Sequence, residues 1–460
     1  MKKYFHLIGF LLLFTSSSYS QLANQNTYLL KNLDSYSSYS ALWGYTAPNG
    51  REYAILGCNT GTSFVDITDS ANIHEVDFLT GLTSSWREMK TYSHYAYIVS
   101  EATNSKLQIV DLQYLPDSVR LVSTWSYSGY TKTHSIQQSG NYLYLNGGNS
   151  AANGGVTVVD VTDPVNPVKL GQWTTLYVHD CRILNDTIWT ANIYTGQMSI
   201  INASNKNNLQ FVRTFQEYPT QVVSTHNCAF TNDRKHMLAT DEIQSPNGKL
   251  NFWNIQDLNN ITFERSWQPT GISTAIVHNV EVYGNYAVVA HYTAGIRIIN
   301  ITDPNNPVEA AWYDTYPSNN SANFSGCWGV YKFPSGKIIG SDISNGLFVI
   351  KTNFTLTGAN SGINQNAEDY SLSQNYPNPY NPVTNIKFSL KENSIVSLKV
   401  FDINGKQVCD LINDRRDGGN YEVVFDAAKL NLGSGTYFYT LNAGNGKNSF
   451  SETKKMLLIK

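Results

Sequence analysis

One unit recurs seven times between Trp43 and Trp328, at intervals of 43, 48, 45, 47, 52 and 50 residues. The units open WGYTAP at Trp43, WREMKTY at Trp86, HSIQQS at His134, HDCRIL at His179, HNCAFT at His226, HNVEVY at His278 and WGVYKF at Trp328. A turn and a short apolar run follow each opening, as in YAIL, YAYIV, YLYL and YAVVA. A third run comes next, FVDI, IVDL, VVDV, IINA, FWNI, IINI or VIK, and it usually ends on Asp or Asn. Short alternating runs at this period, without any helical pattern, predict an all-β, seven-bladed β-propeller with one blade per unit.

Turn chemistry supports the blade reading. VVDVTDPVNPV, ending at Val168, places Asp side chains and two prolines where a third strand must stop and a fourth begin. Fourth strands carry Trp125, Trp173, Phe215, Trp267 or Trp312, bulky side chains expected to fill the space between blades. The seventh unit ends at Lys351 without a fourth strand, whereas TYLLKNL (Thr27 to Leu33) precedes the first unit unpaired. Pairing of that N-terminal strand with Gly346 to Lys351 would close the ring. Strict alternation would then put Tyr28 and Leu30 on one face and Leu29 and Lys31 on the other.

The chain is 460 residues long, too long for one ordinary domain, and its ends read differently from the repeats. Lys2 and Lys3, the apolar run Leu7 to Phe14 and the small residues Ser18 and Ser20 predict a signal peptide over residues 1–20. No later run is long enough to span a bilayer as a helix. After the propeller, expected at 22–353, residues 354–371 are Asn- and Gly-rich without a period and read as a polar linker. Residues 372–460 alternate again, with Asn-Gly and Gly-Gly turns, and predict a small C-terminal β-sandwich. A net charge of −3 with no basic stripe argues against a nucleic-acid partner.

The tail motifs NYPNPYNPVTNIKFSL, LKVFDINGKQV, YEVVFDAAKLNLGSGTYFYTL and SETKKMLLIK resemble the C-terminal sorting domain of type IX secretion substrates. That resemblance implies the type IX secretion machinery as a partner. It also implies a secreted or cell-surface location and a tail removed on export. FVDI, IVDL and VVDV, with WREMKTYSHYAYIVSE, YVHDC and THNC, resemble the LVIVD-repeat propellers and in particular the secreted choice-of-anchor B group. Asn202, Asn254 and Asn300 stand where that signature has Asp.

Chemistry, if present, belongs at one mouth of the channel. His134, His179, His226 and His278 hold one repeat position in four consecutive units, with Trp328, Trp43 and Trp86 completing the ring. Loops returning to that mouth carry Glu101, Asn149, Asn192, Asp241, Glu242, His291 and Asp342, of which Asp241, Glu242, His291 and Asp342 are the expected neighbours of the histidines. Imidazoles beside carboxylates suit a divalent transition metal such as Zn. The structural alternative is that each His braces a blade junction by bonding to a neighbouring turn. Alternation would make His179 point with Cys181, and His226 with Cys228, while Asp180 points elsewhere. No HExxH, GxSxG, P-loop or GxGxxG after a strand occurs. Ring closure would bring Cys58 and Cys327 into neighbouring blades, where they are candidates for a disulfide. These residues fit best an extracellular module that binds an unknown ligand, with a metal-dependent enzyme at the His-lined mouth as the second reading.

Overall fold

The computed structural model describes residues 23–216, 224–242, 248–356, 370–391, 394–416, 419–428, 430, 432–444 and 449–459. The expected signal peptide and most of the expected linker lie outside the described residues. Among those described, the single helical element is a 3₁₀ turn at Ala152–Gly154, and no helix is long and apolar enough to cross a membrane.

Seven antiparallel sheets follow one another in chain order. Blades 1 to 6 begin with inner strands Tyr39–Thr46, Arg87–Tyr92, Ser135–Ser139, Asp180–Leu184, Thr225–Phe230 and Val280–Tyr283, and each adds three strands outward in sequence order. Blade 7 takes Cys327–Lys332, Lys337–Asp342 and Gly346–Thr352 from the end of the repeats, and its outer strand is Thr27–Leu33. The register runs from Thr27 opposite Thr352 to Leu33 opposite Leu347, so the expected closure is what the structure shows.

The ring is held at seven blade junctions, each filled by its own apolar cluster. At the junction of blades 7 and 1, Leu30 and Leu33 of the closing strand pack with Tyr39, Leu56, Phe333 and Leu347. The closing strand departs from strict alternation. A bulge between Leu29 and Lys31 turns Leu30 inward and leaves Tyr28 and Leu29 both exposed. Just upstream, Asn24–Gln25 pairs with the outer strand of blade 6, so the N-terminal segment ties two blades together. Phe354 and Leu356 pack into the junction of blades 6 and 7.

The Asp or Asn that ends the third strand has one job in six blades. Its side-chain oxygen accepts the amide two residues on, as Asp66 does from Thr68 at 2.8 Å, Asp160 from Thr162 at 2.7 Å and Asn300 from Thr302 at 2.9 Å. Asp111, Asn202 and Asn254 make the same bond. Either residue supplies the acceptor for this turn, which is why the repeats tolerate Asn. Of the expected blade-filling aromatics, Trp173, Phe215 and Trp267 are buried, Trp125 packs at the edge of its junction, and Trp312 stacks on Arg297 at 5.4 Å.

Cys58 and Cys327 are free thiols and do not meet. Cys58 packs at the junction of blades 7 and 1, Cys327 at that of blades 6 and 7, so the blade-7 sheet lies between them. The sequence places them in neighbouring blades but does not say which sheet face each takes.

C-terminally, a three-stranded sheet (Ser371–Leu372, Val383–Leu390, Gly419–Asp426) and a four-stranded one (Gln407–Arg416, Ser394–Phe401, Gly435–Gly444, Ser449–Leu458) share a single core. This is the expected β-sandwich.

Removing residues 23–33 bares the edge of Gly346–Thr352 and strips the last junction of Leu30 and Leu33. The truncated protein should melt broadly and elute as oligomers, and a sharp monomeric transition would refute the closure account.

Candidate functional site

The recurrent position is built at the lip of each inner strand. The amides of His134, His179 and His278 donate to the second-strand carbonyls of Asn146, Ala191 and Ala290, each at 2.9 Å. His226 and Trp328 are the extra residues of bulges, between Thr225 and Asn227 and between Cys327 and Gly329. In blade 1 a wider bulge between Tyr39 and Leu42 puts Ala41, not Trp43, at this place. Trp43 lies further down, against Tyr331 at 4.9 Å and under Lys90 at 4.1 Å.

The histidines converge. Ring centroids are 4.0 Å apart for His134–His179, 4.2 Å for His179–His226 and 4.1 Å for His226–His278. Trp328 lies 4.8 Å beyond His278, and Trp86 closes the circuit at 6.1 Å from Trp328 and 6.5 Å from His134. The small Ala41 lets the two indoles meet across blade 1.

Above the circuit is a cup of about 610 Å³, walled by Tyr177, Tyr194, Tyr292 and Phe324 and carrying Glu101 and Glu242. Below it a space of about 20 Å³, room for a water, lies among Arg87, Glu88, Asp180 and Asn279. Deeper still, Arg182 reaches from blade 4 across to Glu281 of blade 6 at 2.5 Å and to the Cys228 carbonyl at 2.7 Å. Asn227 bonds Asp180, and Lys90 pairs with Glu88 at 2.7 Å. The described side chains thus cross the channel below the cup.

Burial sets the electrostatics. It holds His179 and His226 well below the ordinary histidine range, helped by repulsion from neighbouring imidazoles, and it lowers His278 to about 3. These three rings are therefore neutral. Burial also raises Glu242 to about 7, although its bond from Tyr292 at 2.5 Å favours the carboxylate. Glu101 is lowered by its 2.8 Å bond to His134 Nδ1. His278 Nδ1 lies 2.5 Å from the Trp328 carbonyl, which makes it the protonated nitrogen and leaves Nε2 as an acceptor.

Of the four expected neighbours only Glu242 reaches the cup. Asp241 accepts the Ser224 amide, and Asp342 accepts the Thr315 hydroxyl and the amides of Ser344 and Asn345. His291 is fully buried, with its ring 6.4 Å from that of Trp267. Asn192 donates to the Ser199 hydroxyl on the next strand, and Asn149 accepts the amides of Thr131 and Lys132. The cup is lined by the residue one step later in the same repeat column: Ile193, Glu242, Tyr292 and Ile343. The strand-end residue turns away from the cup, and alternation sends the next one to it.

The expected pairing of His with the Cys two residues on is also corrected. His179 and Asp180 both line the channel, whereas Cys181 is buried at the junction of blades 3 and 4 and Cys228 at that of blades 4 and 5. His179 precedes its ladder and His226 sits in a bulge, so neither obeys strand alternation.

The sequence agrees with two known families over parts of its length. Residues 374–458 match the secretion system C-terminal sorting domain, and residues 130–175 and 276–315 match the LVIVD repeat. A search of curated proteins finds no match. Among solved structures, a putative 6-phosphogluconolactonase from Bacteroides uniformis superposes with a TM-score of 0.52 at 11% identity, covering 70% of this chain and 94% of that one. The periplasmic gluconolactonase of Pseudomonas aeruginosa gives 0.47 at 13% identity, covering 61% and 86%. The first likeness shows the propeller fold alone. The sorting domain indicates export by the type IX system to the cell surface or the extracellular space, with that machinery as a partner.

The channel bridge generates a stability prediction. Glu281→Gln leaves Arg182, only 14% exposed at its side chain, without its countercharge. Loss of about 3 kcal/mol in denaturant unfolding is expected, and an unchanged midpoint would show that the bridge carries no weight.

Proposed function

We propose that this chain is an exported binding module that captures a small ligand in the cup at the histidine-lined mouth. The observation that carries this reading is the cup itself. Its volume of about 610 Å³ falls in the size range of small-molecule sites, and aromatic walls over a few polar groups are their usual lining. Its ionisable lining is carboxyl and imidazole, with Glu101, Glu242 and three neutral rings among them, and no Lys or Arg occurs among the described residues lining it. A ligand with hydrogen-bond donors or a positive charge on one end and an apolar face on the other suits that arrangement.

The tail belongs to the same proposal as an address: a signal peptide over 1–20, a propeller over 22–353, a linker over 354–371 and a sorting domain over 372–460. The choice-of-anchor B grouping is proposed with it, on the FVDI, IVDL and VVDV runs and the YVHDC and THNC openings. The second reading, a metal-dependent enzyme at the mouth, is favoured by the contact of His134 with Glu101, which sets a polarised imidazole beside the other three.

Two measurements test the proposal. Primary and quaternary amines and simple sugars are titrated against the protein by thermal shift and tryptophan fluorescence. One class should stabilise it, by about 2.7 kcal/mol at a hundredfold excess over Kd, and Trp86→Ala and Tyr194→Ala should abolish the effect without changing the unliganded melt. Stabilisation that survives both substitutions would place binding elsewhere. A chain ending at residue 356 should accumulate in the periplasm, and its appearance in the medium would refute the role of the tail.

A further inference from the structure

We propose that the floor of the cup is a site for one divalent transition-metal ion of the zinc class, held by His179, His226 and the Glu242 carboxylate, with His278 beside them. One ligand atom from each of the first three lies within 4.8 Å of the other two. This inference deepens the reading of the cup as the functional face and rests on it.

The separations point to a shared ion and not to hydrogen bonding. His226 Nε2 is 3.5 Å from Glu242 Oε2, and His278 Nε2 is 3.8 Å from Glu242 Oε1. Both exceed an ordinary N–H···O bond of about 2.7–3.2 Å. Two ligands each ~2.0–2.1 Å from a tetrahedral ion stand about 3.4 Å apart. A movement of tenths of an ångström would therefore bring the His226 and Glu242 atoms into the first shell.

The ligands are also held from behind. Tyr292 donates its hydroxyl to Glu242 Oε1 at 2.5 Å, which fixes the carboxylate and leaves Oε2 towards His226. His278 is oriented by the Trp328 carbonyl. Such outer partners are the usual support of metal-binding His and carboxylate. Meanwhile Nδ1 of His179 and of His226 is buried without a hydrogen bond, although the carbonyls of His226 and His278 face those rings. An ion on Nε2 would leave each Nδ1 as the donor, and these carbonyls are the acceptors towards which it would turn. Two imidazoles and one carboxylate form a donor set used by catalytic zinc, with a further position open. Nitrogen donors in this number disfavour Mg²⁺ and Ca²⁺, which prefer oxygen. The nearby thiols of Cys181 and Cys228 are packed in blade junctions and take no part.

The test uses the exported protein without a polyhistidine tag, stripped with a chelator and titrated calorimetrically with ZnCl₂ alone. One zinc per chain is expected. His226→Gln and Glu242→Gln should each weaken binding by roughly 100-fold, and Tyr292→Phe by less. His236→Gln, at the far end of the blade-5 second strand beside Glu264, should bind as the parent does. Melting curves accompany every variant, and the near-isosteric Glu242→Gln keeps the test valid should a histidine variant unfold. Absence of stoichiometric zinc would overturn the site, as would binding unchanged in folded Glu242→Gln. Amine or sugar binding that persists in chelator while zinc fails to bind would overturn the metal site and leave the capture reading intact.

Discussion

The pairing of Thr27–Leu33 with Gly346–Thr352 is the contact on which the rest depends. Each blade of a propeller packs its two faces on two neighbours, so a ring with one junction open exposes two apolar faces and leaves a sheet edge unpaired. Here a single segment covers both, because Leu30 and Leu33 join the last junction while their backbone supplies the missing strand. Closure also determines the mouth. Only with blade 7 seated against blade 1 does Trp328 come within 6.1 Å of Trp86 and complete the aromatic circuit begun by the histidines.

The histidine stack is unusual in charge more than in shape. Burial disfavours a positive charge on any of these three imidazoles, spaced at about 4 Å, and repulsion from neighbouring imidazoles adds to it. Charge is placed elsewhere: in Glu101 on the rim, and in the Arg182–Glu281 and Lys90–Glu88 pairs beneath. A neutral, acceptor-rich layer thus lies between a carboxylate rim and an ion-paired plug, a place where an incoming cation would find donors ready.

Much of this could be read from the chain, and the exceptions share a cause. Repeat spacing gives the seven blades and the closure, since both follow from counting strands. The convergence of His134, His179, His226 and His278 follows from one residue type holding one repeat position in consecutive blades. What could not be read was anything dependent on a single-residue shift. The bulge at Tyr39–Leu42 moves the blade-1 position from Trp43 to Ala41. The bulge at His226 separates it from the face taken by Cys228, and the bulge at Leu30 inverts part of the closing strand. In the loops, Asp241, His291 and Asp342 attract notice for their chemistry, yet Asp241 and Asp342 accept backbone amides and His291 is buried, while Glu242 and Tyr292 beside them face the cup. Alternation predicts that neighbours diverge but not which one is inside, unless the register is known.

Anomalous diffraction at the zinc edge, from crystals of the exported protein grown with zinc, tests the central claim most directly. The account predicts one strong peak per chain about 2 Å from donor atoms of His179, His226 and Glu242, with Tyr292 still bonded to that carboxylate. A cup without a peak at full zinc loading, or a peak confined to an exposed histidine such as His74, would contradict it.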